Sequence, residues 1–147
     1  LEIGTMIETP RACLTADKLA QEVQFFSVGS NDLTALTFGY SRDDAPHWIP
    51  MYLEKNILPS DPFTNLDIEG VGEFIKLALT KARLVKPNFK VGICGEVGGD
   101  PDSISFFTDI GLNYVSVSPF RVPTARLAAC QAALKQMIHA ENLSHKL

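Results

Sequence analysis

Residues 89–102 read FKVGICGEVGGDPD. Phe89 to Cys94 is a short apolar run closed by glycines, as a buried parallel strand is. Pro101 to Ile110 then reads as a helix, with Asp100 or Asp102 near its cap. Upstream, Val71 to Val85 places Phe74, Ile75, Leu77, Ala78, Leu79 and Ala82 on one side of a helix that stops before Pro87. Downstream, a strand at Tyr114 to Val117 runs into Ser118, Pro119 and Phe120, and a long Ala/Leu-rich helix follows from Val122 to Asn142. Toward the start, Phe25 to Val28 is another short apolar run, closed by Gly29, Ser30, Asn31 and Asp32. Pro10 opens a helical stretch from Arg11 to Val23, with Ala12, Leu19, Ala20 and Val23 on its apolar side. Ile3 to Ile7 is the first strand, ending at Glu8. Leu33 to Asp67 reads as irregular, with Pro46, Pro50, Pro59 and Pro62 and a short helix around Trp48 to Lys55.

The order is strand–helix four times over, which argues a parallel α/β arrangement. A doubly wound sheet and half of an eight-stranded barrel both fit. The four units occupy 147 residues, against roughly 250 residues for a complete (β/α)₈ barrel. A chain of this length is one domain, spanning 1–147, or a piece of one. It opens on Leu1 with a strand almost at once, so an excised fragment or processed product is expected.

With 17 acidic and 13 basic residues, the formal charge is −4, the wrong balance for a nucleic-acid binder. Hydrophobic residues at 46% with only 20% charged exclude a disordered chain. A mean hydropathy of +0.07 is high for a small domain and suggests a surface that meets another part of a protein. Cys13, Cys94 and Cys130 are too few and too scattered for a disulfide framework or zinc site. A reducing intracellular compartment is expected, cytoplasmic or organellar. No membrane span and no signal peptide is visible.

Parallel α/β folds of both kinds place their chemistry at the carboxyl ends of the strands. Glu8 and Asp32 follow the first two strands, and strands about 4.8 Å apart bring such carboxylates to one hard cation. The plainer reading is that Asp32 caps a helix and Glu8 pairs with Arg11. Gly29 to Asp32 is a turn whose free N–H groups suit an anion. Cys94 ends the third strand among glycines, which opens it to a ligand, whereas Cys13 and Cys130 read as packing. The glycines at 92, 95, 98 and 99 do not form the dinucleotide fingerprint. His47, His139 and His145 have no catalytic or ligand spacing. Arg42 and Arg121 are solvated charges or contacts to an anionic ligand.

The stretches IGTMIETPRA (3–12), FFSVGSNDLTALTFGYSRDD (25–44), GICGEVGGD (92–100) and YVSVSPFRVPTARLAACQ (114–131) resemble the phosphoenolpyruvate-binding domain of the pyruvate, phosphate dikinase family. Enzyme I of the sugar phosphotransferase system and phosphoenolpyruvate synthase share the shorter motifs, while TFGYSRDD and SPFRVP favour the dikinases. The resemblance implies the last four units of a (β/α)₈ barrel. It implies phosphoenolpyruvate–pyruvate interconversion, within an enzyme that converts ATP, pyruvate and phosphate to AMP, phosphoenolpyruvate and diphosphate. By the same resemblance Glu8 and Asp32 bind Mg²⁺, Gly29, Ser30 and Asn31 contact the substrate, and Cys94 is the proton donor. Arg42 matches a substrate-contacting arginine of enzyme I. The implied partners are a phosphohistidine domain of the parent chain and a second copy in a homodimer. Ser30, Ala35 and Val97 stand where the family commonly has Thr, Gln and His. The first four barrel units and the phosphohistidine and nucleotide-binding domains are absent, so the isolated piece is expected to be inactive. The competing reading is a stand-alone half-barrel that binds or assembles without catalysis.

Overall fold

The computed structural model describes residues 1–144, which leaves His145 outside the described residues. The apolar runs become four strands, each followed by helix. Strand β1 (Gly4–Ile7) leads into α1 (Pro10–Leu14) and α2 (Ala16–Glu22), and β2 (Phe25–Gly29) into α3 (Ser30–Phe38), α4 (Ala45–Glu54) and α5 (Val71–Val85). Strand β3 (Lys90–Cys94) leads into α6 (Pro101–Asp109), and β4 (Tyr114–Val115) into α7 (Val122–Ser144). All pairings are parallel and the order is β1-β2-β3-β4. The order never reverses, as it would at the switch point of a doubly wound sheet. This is one half of a (β/α)₈ barrel wall.

The helices cover one face of the sheet. Ile7, Phe26, Val28, Val91 and Ile93 are buried there against Ala16, Ala20, Ile75, Ala78 and Ala82. Successive strand residues alternate in face. The other face therefore carries Gly4, Met6, Phe25, Ser27, Gly92 and Tyr114, with Met6 46% and Tyr114 38% exposed. On it the Phe25 ring lies over Gly4 and the Tyr114 ring over Gly92, each where a Cβ would stand.

The helix expected from Arg11 to Val23 is two helices, because the chain breaks at Thr15 (φ −112°, ψ 20°), whose hydroxyl donates to the Arg11 carbonyl at 3.0 Å. The segment read as irregular from Leu33 holds most of α3, which ends on Gly39 in the left-handed region (φ 68°). Helix α4 starts earlier than expected, with Pro46 in its first turn. The fourth strand is shorter than expected, although the Ser116 N–H still donates to the Ile93 carbonyl at 2.8 Å. Cys13 is packed, but Cys130 is exposed on α7, contrary to the reading of both as packing. Helix α7 buries Ala125 and Ala128 against Ile104 of α6.

Candidate active site at the carboxyl ends of the strands

In register, Ile7 lies beside Val28, Val28 beside Ile93 and Gly29 beside Cys94. Glu8, Gly29 and Cys94 thus reach one rim of the sheet. A Cβ on Gly29 would stand 2.7 Å from Glu8 Oε2 and 2.9 Å from Met6 Sδ. The missing side chain is what lets the Glu8 carboxylate fold over the end of β2.

The next residue, Ser30, is buried and opens α3, with Gly29 at the N-cap. Ser30 Oγ donates to the Cys94 carbonyl at 2.8 Å, which fixes the β2–α3 turn to the end of β3. Gly95 follows with φ 107°, and a Cβ there would fall 2.1 Å from Ser30 Oγ. Both the dihedral and the space require glycine. Asp32 lies in the first turn of α3, is exposed and is not the cap. Among the described residues neither the Glu8 nor the Asp32 side chain has an ion pair or hydrogen bond, so Arg11 does not hold Glu8.

The Cys94 thiol is held from two sides. Ser27 Oγ donates to Sγ at 3.8 Å, and Sγ approaches the Val28 carbonyl oxygen at 3.4 Å. Sequence reasoning missed Ser27, yet it lies two residues before Gly29 on the same face, and that period is the signal that could have found it. Tyr114 lies on this face as well, its hydroxyl 3.4 Å from the Phe26 carbonyl. Val97, fully buried, packs in the core and offers the thiol no polar support.

Two hard oxygen donors without a competing cation suit Mg²⁺, which uses one or two carboxylates plus substrate and water oxygens. Among the described residues no cluster of three or more His, Cys, Asp or Glu forms a closed metal cage. Such a two-carboxylate site leaves room for the substrate's own oxygens.

Arg42 is placed differently. It lines a cavity of about 440 Å³ with Asn31, Glu96 and Asp61. Glu8, Asp32 and Cys94 do not line it. Asn31 alone joins the rim to this cavity, and its amide oxygen is buried without a hydrogen-bond partner. Arg121 extends across Gly99 at the mouth of β4. His47 and His139 are exposed and outside these groups.

Residues 1–134 match the family model described as PEP-utilising enzyme, PEP-binding domain. The chain is 62% identical over 130 residues to pyruvate, phosphate dikinase of Mesembryanthemum crystallinum, a chloroplastic protein by its name, and 60% identical over 132 residues to that of Clostridium symbiosum. It is likewise 62% identical over 130 residues to pyruvate, phosphate dikinase 2 of Zea mays. These alignments take in 88–90% of the chain but only 14–15% of each relative. Among the described residues no helix is long and apolar enough to cross a membrane.

Proposed function

The chain belongs to the PEP-utilising enzymes, in their PEP-binding domain, and from that membership we propose that residues 1–147 form the carboxyl-terminal part of the barrel in which a pyruvate, phosphate dikinase interconverts phosphoenolpyruvate and pyruvate. The observation that carries this reading is the Cys94 thiol at the strand rim, cradled by Ser27 and level with the Gly29 turn beside Glu8.

Removing the phosphoryl group from phosphoenolpyruvate leaves an enolate, which needs its oxygen charge offset and its methylene carbon protonated. Glu8 and Asp32 would hold Mg²⁺. Bound there, it supplies positive charge beside the enolate oxygen. The turn Gly29 to Asn31 orients the substrate with N–H groups at the start of α3. Cys94 gives the Sγ proton to the methylene carbon to form pyruvate, and as thiolate takes one from the methyl group in reverse. The Ser27 hydroxyl, directed at Sγ, steadies the thiolate between these steps. Phosphoryl transfer itself calls for a phosphohistidine domain of the parent chain, and assembly as a homodimer completes the proposal.

Oxalate mimics the enolate and needs no turnover. Titration calorimetry of Mg²⁺ with oxalate is expected to show saturable binding that weakens roughly tenfold or more in Glu8→Gln and Asp32→Asn and persists in Cys94→Ser. Unchanged binding in both carboxylate variants removes Glu8 and Asp32 from the site.

A further inference from the structure

The cavity beside the rim combines three features that the phosphoenolpyruvate reading leaves unused. Its floor is apolar, made by Ile49 and Leu53 of α4 and by Phe63. A guanidinium, Arg42, lines it, and so do two carboxylates, Asp61 and Glu96. Among the described residues none of these three charges is ion-paired, although they share one cavity. The volume, about 440 Å³, lies within the roughly 300–1,000 Å³ of small-molecule sites.

A simple anion would meet two carboxylates for one guanidinium, and a simple cation would meet Arg42. A ligand carrying both charges on an apolar body satisfies all three. We propose that this cavity is a second site, separate from the strand rim, that binds a free apolar α-amino acid as its zwitterion. Arg42 takes the α-carboxylate, for which its planar fork is suited. Asp61 and Glu96 take the α-ammonium, and Ile49, Leu53 and Phe63 enclose the side chain. Asn31, whose amide oxygen lacks a donor, forms the wall shared with the strand rim. Occupancy is therefore felt at the turn that opens α3, which makes the site a regulatory one.

Calorimetry on the full 147-residue chain tests this without Mg²⁺ or phosphoenolpyruvate, so it succeeds or fails independently of the proposed reaction. The probes are leucine, 4-methylpentanoate, which lacks the ammonium, and 3-methylbutylamine, which lacks the carboxylate. Leucine is expected to bind saturably, and each truncated probe at least tenfold more weakly. Arg42→Gln and Asp61→Asn are each expected to weaken leucine at least tenfold. Both leave the fold intact. The Arg42 side chain has no partner among the described residues, and the amide that replaces the Asp61 carboxylate keeps an acceptor for the Phe63 N–H. No saturable leucine binding to the unsubstituted chain overturns the proposal. So does 4-methylpentanoate binding as tightly as leucine, which would make this an anion site only, and so does wild-type affinity in both variants.

Discussion

Cys94 and Gly29 are the residues on which the reaction and the rim's shape depend. Replacing the thiol removes a proton donor that touches only the methyl carbon. Cys94→Ser in the intact enzyme is expected to slow pyruvate methyl deuterium exchange by roughly 10²–10⁴-fold while leaving oxalate affinity near normal. Survival of exchange at the wild-type rate would mean that another group moves the proton. Gly29→Ala acts through sterics, because the added Cβ meets Glu8 Oε2 at 2.7 Å and the carboxylate must swing away. Mg²⁺ affinity should fall by roughly 10–100-fold, and a variant that binds Mg²⁺ normally would separate Glu8 from the cation. The cysteines should also differ in reactivity. Burial pushes the Cys13 thiol up to about 11, whereas Cys130 is exposed. A thiol reagent at mildly alkaline pH should label Cys130 quickly and Cys13 only after unfolding. The unfolded chain ionises its Cys13 first, so the stability tied to that thiol is complete at neutral pH and is lost as pH climbs from the ordinary thiol range toward 11. Glu8, Gly29 and Cys94 were legible in the sequence because each sits where an apolar run stops. Ser27 was not, since a serine inside such a run looks like an interruption until the facing strand is known.

At the level of elements, α6 and the loop before α5 share one fastening. Asp100 caps α6 by accepting the Ser103 N–H at 2.8 Å and also accepts the Asn65 amide at 2.9 Å, while Ser103 Oγ accepts the Leu66 N–H at 3.0 Å. Asp100→Ala removes the cap and releases the loop, at an expected cost of about 1–2 kcal/mol. Urea unfolding with an unchanged denaturant slope checks it, and a midpoint equal to wild type would show that the loop is held elsewhere. Helix α5 was legible to the residue, because its apolar period and Pro87 agree on both ends. Helix α3 was hidden because Ser30, Asn31 and Asp32 carry turn chemistry and Leu36 faces solvent, so no clean apolar stripe marks it. The break at Thr15 was equally silent, since the apolar positions on both sides keep helical spacing across it.

For the molecule as a whole, strand order was the illegible quantity: periodicity identifies strands and helices but does not say which strand neighbours which. The structure also corrects what an open half-barrel exposes. The Val, Ile and Phe side chains expected on the uncovered face, Ile7, Phe26, Val28, Val91 and Ile93, point to the helices instead. The bare face is built of glycine, serine and aromatic rings, and apolar exposure is supplemented by Phe120 and by Leu127, Leu134 and Ile138 of α7. Strands β1 and β4 remain as edges able to pair with another chain. Sedimentation at micromolar concentration should therefore give a mass above 16.1 kDa for the chain alone, and a stable monomer would show that these edges are shielded. The rings over Gly4 and Gly92 carry a further consequence for how the sequence drifts over time. Each glycine is occupied in space by its neighbour's ring, so positions 4 and 25, and positions 92 and 114, are inherited as couples. A lineage that trims Tyr114 to a small residue gains the freedom to grow a side chain at 92, and neither change is tolerated in the opposite order.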